Sequence, residues 1–216
     1  MRVGILGSGL MGSKLGTLFA RAGHEVVFSY ARSRDKLEAL AREAGAQARA
    51  GTPAEAAEGA DALLLAVHWN RVDDALREVG DLAGKVVMTC SLPMNDDDTR
   101  LVVAHTSSGA EQLARLARGA RVVSAFGTVP SEVLFAVFEA GDPARRPGVL
   151  YCGDDAEAKA VAAALIRDVG FDPVDAGPLR MARYTEPFAL VVARLAYEGE
   201  RGPALAYRFE WLEERH

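Results

Sequence analysis

Lysine is scarce in this chain. Of its 25 basic residues only Lys14, Lys36, Lys85 and Lys159 are lysine, and the other 21 are arginine. No catalytic lysine is therefore to be expected on the helices between Lys85 and Lys159. Aromatic residues make up only 7%, so the core must be aliphatic. Basic excess is missing as well: a formal charge of −5 argues against the broad basic face that nucleic acids or anionic membrane surfaces require. No apolar run reaches the roughly 18 residues that could span a bilayer. Cysteine is limited to Cys90 and Cys152, each ending a strand-like run. No disulfide framework follows, and buried, reduced thiols are expected. No histidine stands near Cys90 in sequence, which leaves it without an activating base there. The chain opens on a strand at Arg2 with no room for a signal peptide, so the expected location is the cytoplasm.

What is present is concentrated at the start. Val3 to Gly12 reads V-G-I-L-G-S-G-L-M-G, a strand running into Gly7-x-Gly9-x-x-Gly12. Gly7 permits the tight turn, Gly9 lets a pyrophosphate approach the backbone, and Gly12 lets the next helix pack on the sheet. Gly7, Ser8, Gly9, Leu10, Met11 and Gly12 are the expected phosphate loop, with the free N–H groups of a helix N-terminus facing the anion.

Strand-like segments at 2–6, 25–29, 46–49, 61–67, 85–90, 120–125, 148–152 and 172–175 alternate with helix-like ones at 10–22, 33–44, 53–59, 70–79, 107–117, 156–169 and 180–198. A further helical stretch follows Pro130. Alternation of this kind predicts an α/β fold: a Rossmann-type, doubly wound parallel sheet with a small C-terminal α/β extension and a long terminal helix. Residues 1–128 are expected to be the nucleotide-binding domain and 129–216 a smaller substrate-side and dimerisation region. The terminal helix is apolar on more than one face, which predicts a homodimer.

The end of the second strand selects the nucleotide. Sites for the unphosphorylated cofactor carry an acid there to take the ribose hydroxyl. Val26 to Arg34 contains none; after Tyr30 come Arg32, Ser33 and Arg34. Guanidinium groups pair with a phosphate dianion in a forked geometry, and the serine adds a donor. NADP(H) is the expected cofactor. The competing reading makes the two arginines solvated openers of a helix, where positive charge is mildly unfavourable.

With these features in place the chain resembles the F420-dependent NADP oxidoreductase family over most of its length. The matching passages are Gly4 to Gly12, Gly23-His-Glu-Val-Val27, Leu65-Ala-Val-His-Trp69, Asp81 to Val87, Arg121 to Thr128 and Gly153-Asp-Asp155. The most specific are Gly170-Phe-Asp-Pro-Val-Asp-Ala-Gly-Pro-Leu179 and Ala182-Arg-Tyr-Thr-Glu-Pro187. The resemblance implies that Val67, His68 and Trp69 lie beside a ribose, and that Ala125 to Thr128, Ala125 and Gly127 included, sit by the nicotinamide. It also implies the deazaflavin coenzyme F420 as co-substrate. The chain departs from the family pattern at His68, where proline is usual, and at Gly127, where asparagine is usual.

Hydride transfer between two ring cofactors needs mainly geometry and exclusion of water, with no protein nucleophile. A small imine or carbonyl substrate, as in enzymes similar to pyrroline-5-carboxylate reductase, also needs a proton donor. His68 is the better donor candidate, its competing reading being a packing or ribose contact. His105 reads as a loop or helix-start residue, and His24 as a partner for a helix C-terminus. Asp96-Asp97-Asp98 reads as a solvated loop, so no metal is expected. Glu186 could face substrate or cap a helix. A catalytically idle NADP(H)-binding sensor is the reading from another class.

Overall fold

The structure, a computed structural model, describes residues 1–31, 33–141 and 145–212. One eight-stranded sheet runs through it. In chain order the strands are β1 (Arg2–Leu6), β2 (Glu25–Ser29), β3 (Ala48–Ala50), β4 (Ala62–Leu65), β5 (Val86–Thr89), β6 (Arg121–Ala125), β7 (Gly148–Gly153) and β8 (Asp172–Asp175), and their spatial order is β3-β2-β1-β4-β5-β6-β7-β8. The helices are α1 (Leu10–Arg21), α2 (Arg34–Ala44), α3 (Pro53–Ala57), α4 (Val72–Val79), α5 (Gly109–Leu116), α6 (Leu134–Ala140), α7 (Ala156–Asp168) and α8 (Ala182–Tyr197). Order reversal between β1 and β4 makes the switch point of a doubly wound sheet, with loops at the C-terminal strand ends.

Each apolar strand run is explained by burial on both faces. Val3, Ile5, Val26, Phe28, Ala62 and Leu64 join one core cluster with residues of α1, α2 and α7. Leu6, Val27, Leu63 and Leu65 join the other, with residues of α3, α4, α5 and α8. Among the described residues no helix is long and apolar enough to cross a membrane.

One expectation is corrected. The sheet is not wholly parallel: β7 pairs antiparallel with β6 (Val123 with Gly153, Ala125 with Tyr151), and β8 then pairs parallel with β7. The reason is the connection. Between β6 and β7 the described residues form a 3₁₀ turn (Ser131–Val133) and α6, of seven residues. That short helix packs beside α1 and is not followed by a second long helix returning along the sheet among the described residues. The chain therefore turns back into the sheet from the edge at which β6 left it.

Candidate functional site

Because β1, β2, β4, β5 and β6 are mutually parallel, the loops that follow them share one edge of the sheet. Gly7 leaves β1 at φ +117, and a Cβ there would stand 2.3 Å from the Ala66 carbonyl oxygen. Its N–H donates to the Ser29 carbonyl at 3.1 Å, tying the ends of β1 and β2. At Gly12 a Cβ would come within 2.0 Å of the Gly7 carbonyl oxygen, so α1 seats directly on the turn. Gly9 differs: a Cβ there meets no protein atom within 4 Å. It is the N-cap of α1, offers no side-chain cap, and no acid stands in the first turn. Backbone amides and a positive helix end are thus presented beside open space that a side chain would fill, an arrangement that fits a pyrophosphate. Ser8 is buried in the turn, Met11 half-buried, and Leu10 exposed beside it.

Past β2, Tyr30 holds a left-handed φ of +57. Its hydroxyl donates to Asp74 Oδ2 at 2.7 Å and accepts from Arg71 Nε at 3.1 Å, while the Arg71 guanidinium lies 5.9 Å from the ring centre. Arg71 and Arg77 also reach Asp74 at 2.9 and 3.0 Å. The phenol is pushed up by burial, and the Tyr30 hydroxyl and Arg77 hold the Asp74 carboxyl below its ordinary value. Sequence reasoning missed Arg71 and Asp74, since a lone arginine in a loop and an acid on a helix carry no pattern. Arg32 lies outside the described residues. Ser33 caps α2 by accepting from Lys36 N at 3.4 Å, which leaves its hydroxyl hydrogen for a second partner. Arg34 opens α2, is 81% exposed, and pairs through Nε with Glu38 at 3.0 Å.

After β4, Val67 is fixed by buried Ser91, whose hydroxyl donates to Val67 O at 2.7 Å and accepts from Val67 N at 3.2 Å. His68 points outward, 75% exposed, with Nδ1 3.9 Å from Asp98 Oδ1. Trp69 begins a single 3₁₀ turn, half-buried against the core beneath it. Ala125 closes β6 and is buried; Gly127 follows, where a Cβ would stand 3.3 Å from Leu92.

The other sequence candidates are accounted for by burial, pairing or loop structure. Burial pushes the Cys90 thiol up to about 12, and Cys152 likewise, so both are protonated, inert thiols. His24 bonds Asp168 at 3.0 Å and the N-terminal amine at 3.3 Å, rather than only facing the helix before it. Asp96 accepts from Asn70 and Asp97 from Thr99, within a surface loop. His105 is an exposed loop residue at φ +63.

Glu186 resolves the choice left open for it, and the cap it makes is on another helix. Its carboxylate accepts from the Gly109 and Ala110 amides at 2.8 and 3.0 Å, closing the N-terminus of α5. Arg183, one turn earlier on α8, makes a forked pair with Glu111 at 2.8 and 2.6 Å. The A-R-x-x-E-P passage is thus a clamp between α8 and α5. Burial pushes Glu186 up to about 7, with the two amides pulling the other way.

Comparison with known proteins points to NADP-dependent oxidoreductases. Residues 2–93 match the family described as NADP oxidoreductase, coenzyme F420-dependent. The metalloreductase STEAP3 of Rattus norvegicus is 31% identical over 88% of this chain and 36% of its own length. The F420-dependent NADP reductase of Methanocaldococcus jannaschii is 30% identical over 61% of this chain and 60% of its own. This chain therefore spans about a third of the one relative and three fifths of the other. A solved structure from Arthrobacter sp. fb24, assigned as an F420-dependent NADP reductase, superposes with a TM-score of 0.83 at 25% identity, covering 98% of this chain and all of that one. The reductive aminase of Aspergillus terreus shares the fold alone, at TM-score 0.63 and 23% identity over 88% of this chain and 59% of its own. Residues 2–93, the part that matches this family, hold the glycine loop, the end of β2 and the mouth of β4.

Proposed function

We propose that this chain passes hydride between NADP(H) and the deazaflavin coenzyme F420, acting in the cytoplasm as a homodimer. The observation that carries the reading is the end of β2. It bears no acid, ends in Ser33 and Arg34 beside Arg32, and stands next to an uncapped helix N-terminus. The amides of residues 10–12 hold the pyrophosphate, and Ser33 with the arginines takes the 2′-phosphate. Val67 to Trp69 line the riboses, and the backbone of Gly127 and Thr128 receives the carboxamide. When bound, NADPH supplies the hydride from its dihydropyridine ring. The protein's part is to orient two rings and exclude water, and no protein nucleophile is required. His68, three-quarters exposed, is placed for a ribose contact more readily than for buried acid catalysis.

The test mixes protein, NADPH and oxidised deazaflavin. Loss of deazaflavin absorbance with matched oxidation of NADPH is expected. Reduction of a cyclic imine with no deazaflavin exchange would replace this reading by the imine-reductase one. Tight NADPH binding with no transfer to either would make the chain a sensor.

A further inference from the structure

The turn after β6 is held from two sides. Phe126 takes φ +64, a left-handed conformation costly for a bulky residue. Its ring is fully buried, edge-on to Phe19 and Phe171 at 6.5 and 6.4 Å, which keeps it there. Two residues on, Thr128 is 4% exposed and its Oγ1 lies 2.5 Å from the Tyr207 hydroxyl. Tyr207 comes from the extended segment that follows α8. Gly148 N donates to the Tyr207 carbonyl at 2.7 Å, and Leu150 N to its hydroxyl at 3.4 Å. Phe188 of α8 and Phe209 pack edge-on to its ring at 5.5 and 5.6 Å. One phenol thus joins the β6 turn, the start of β7 and α8.

We propose that Tyr207 is a positioning residue for hydride transfer, pinning the Gly127–Thr128 turn while residues 203–209 wall the acceptor cleft beyond β6. This rests on the reading that the turn lies against the nicotinamide. A strained backbone kept in place from both sides is what preorganisation of a ring-stacking surface requires.

The experiment compares Tyr207→Phe, Thr128→Val and the double variant by NADPH titration, emission of the bound dihydropyridine, and turnover with the deazaflavin. The NADPH dissociation constant is expected to stay within about twofold of wild type while kcat falls about tenfold. Bound NADPH should emit more like free NADPH, and the double variant should fall no further than either single one. Unchanged emission in Tyr207→Phe overturns the proposal, as does additive loss in the double variant. A fall in kcat matched by an equal weakening of NADPH binding also overturns it. The emission readout needs no acceptor, so it decides the role of Tyr207 even if hydride transfer to the deazaflavin is never observed.

Discussion

Gly9 and Gly12 stand in one loop and are glycine for different physical reasons. At Gly12 the protein itself forbids a side chain, because a Cβ would overlap the Gly7 carbonyl at 2.0 Å. At Gly9 the protein leaves room, so the demand comes from what approaches the helix end. Gly12→Ala is expected to lift α1 from the sheet and cost about 2–3 kcal/mol of stability, read as a fall in melting temperature. Gly9→Ala should leave stability within about 1 kcal/mol of wild type. It should nonetheless weaken NADPH binding about tenfold or more, some 1.4 kcal/mol, because the new methyl occupies the phosphate approach. A Gly9→Ala protein that binds NADPH normally would remove the pyrophosphate assignment. Residues of this kind are legible in a sequence, since their spacing encodes the requirement. Arg71 and Tyr207 are not, because each acts through a partner far along the chain.

At the scale of elements, the two C-terminal passages that carry the sequence resemblance build scaffold. The 170–179 passage forms β8, an edge strand where Pro173 is tolerated, and ties it down through Lys159 to Asp175 at 2.8 Å. The 182–187 passage clamps α5. Glu186 makes that clamp pH-dependent. Burial pushes its carboxyl from the ordinary glutamate value of about 4.5 up to about 7 in the fold, so the folded state holds the proton more tightly. Stability from this group is fully present below about pH 4.5 and is lost as pH rises through 7, by an amount of order 1–3 kcal/mol. The urea midpoint of the wild type should therefore fall between pH 5 and pH 8, and Glu186→Gln should flatten the curve. A midpoint that rises over this interval would show that the two amides outweigh burial. The strands were legible as short apolar runs between turn residues, and so was their parallel arrangement up to β6. The reversal of β7 was not, because a 22-residue connection such as that between Ala125 and Gly148 is long enough for either strand direction. The alternation Leu205, Tyr207, Phe209 after α8 is the one local signal in the sequence for this extended segment.

The whole molecule presents an apolar face of its own. Tyr184, Val191 and Leu195 are 61%, 53% and 57% exposed and lie at helical spacing along α8, with Phe188 between them. The opposite stripe of Ala182, Glu186, Ala189, Val192 and Ala196 is buried in the fold. An exposed stripe of this kind on a helix already packed on its other side fits a second copy of the chain. Leu195→Glu is expected to convert a dimer to a monomer in light scattering with little change in melting temperature. A wild type that is monomeric at micromolar concentration would contradict the dimer. The central claim is grip on the 2′-phosphate by groups at the end of β2, and calorimetric titration with NADPH and NADH tests it most directly. Wild type should bind NADPH at least about a hundredfold more tightly, close to 2.7 kcal/mol, and Arg32→Ala should remove most of that difference while leaving NADH binding unchanged. Equal affinity for the two dinucleotides in the wild type would contradict the account.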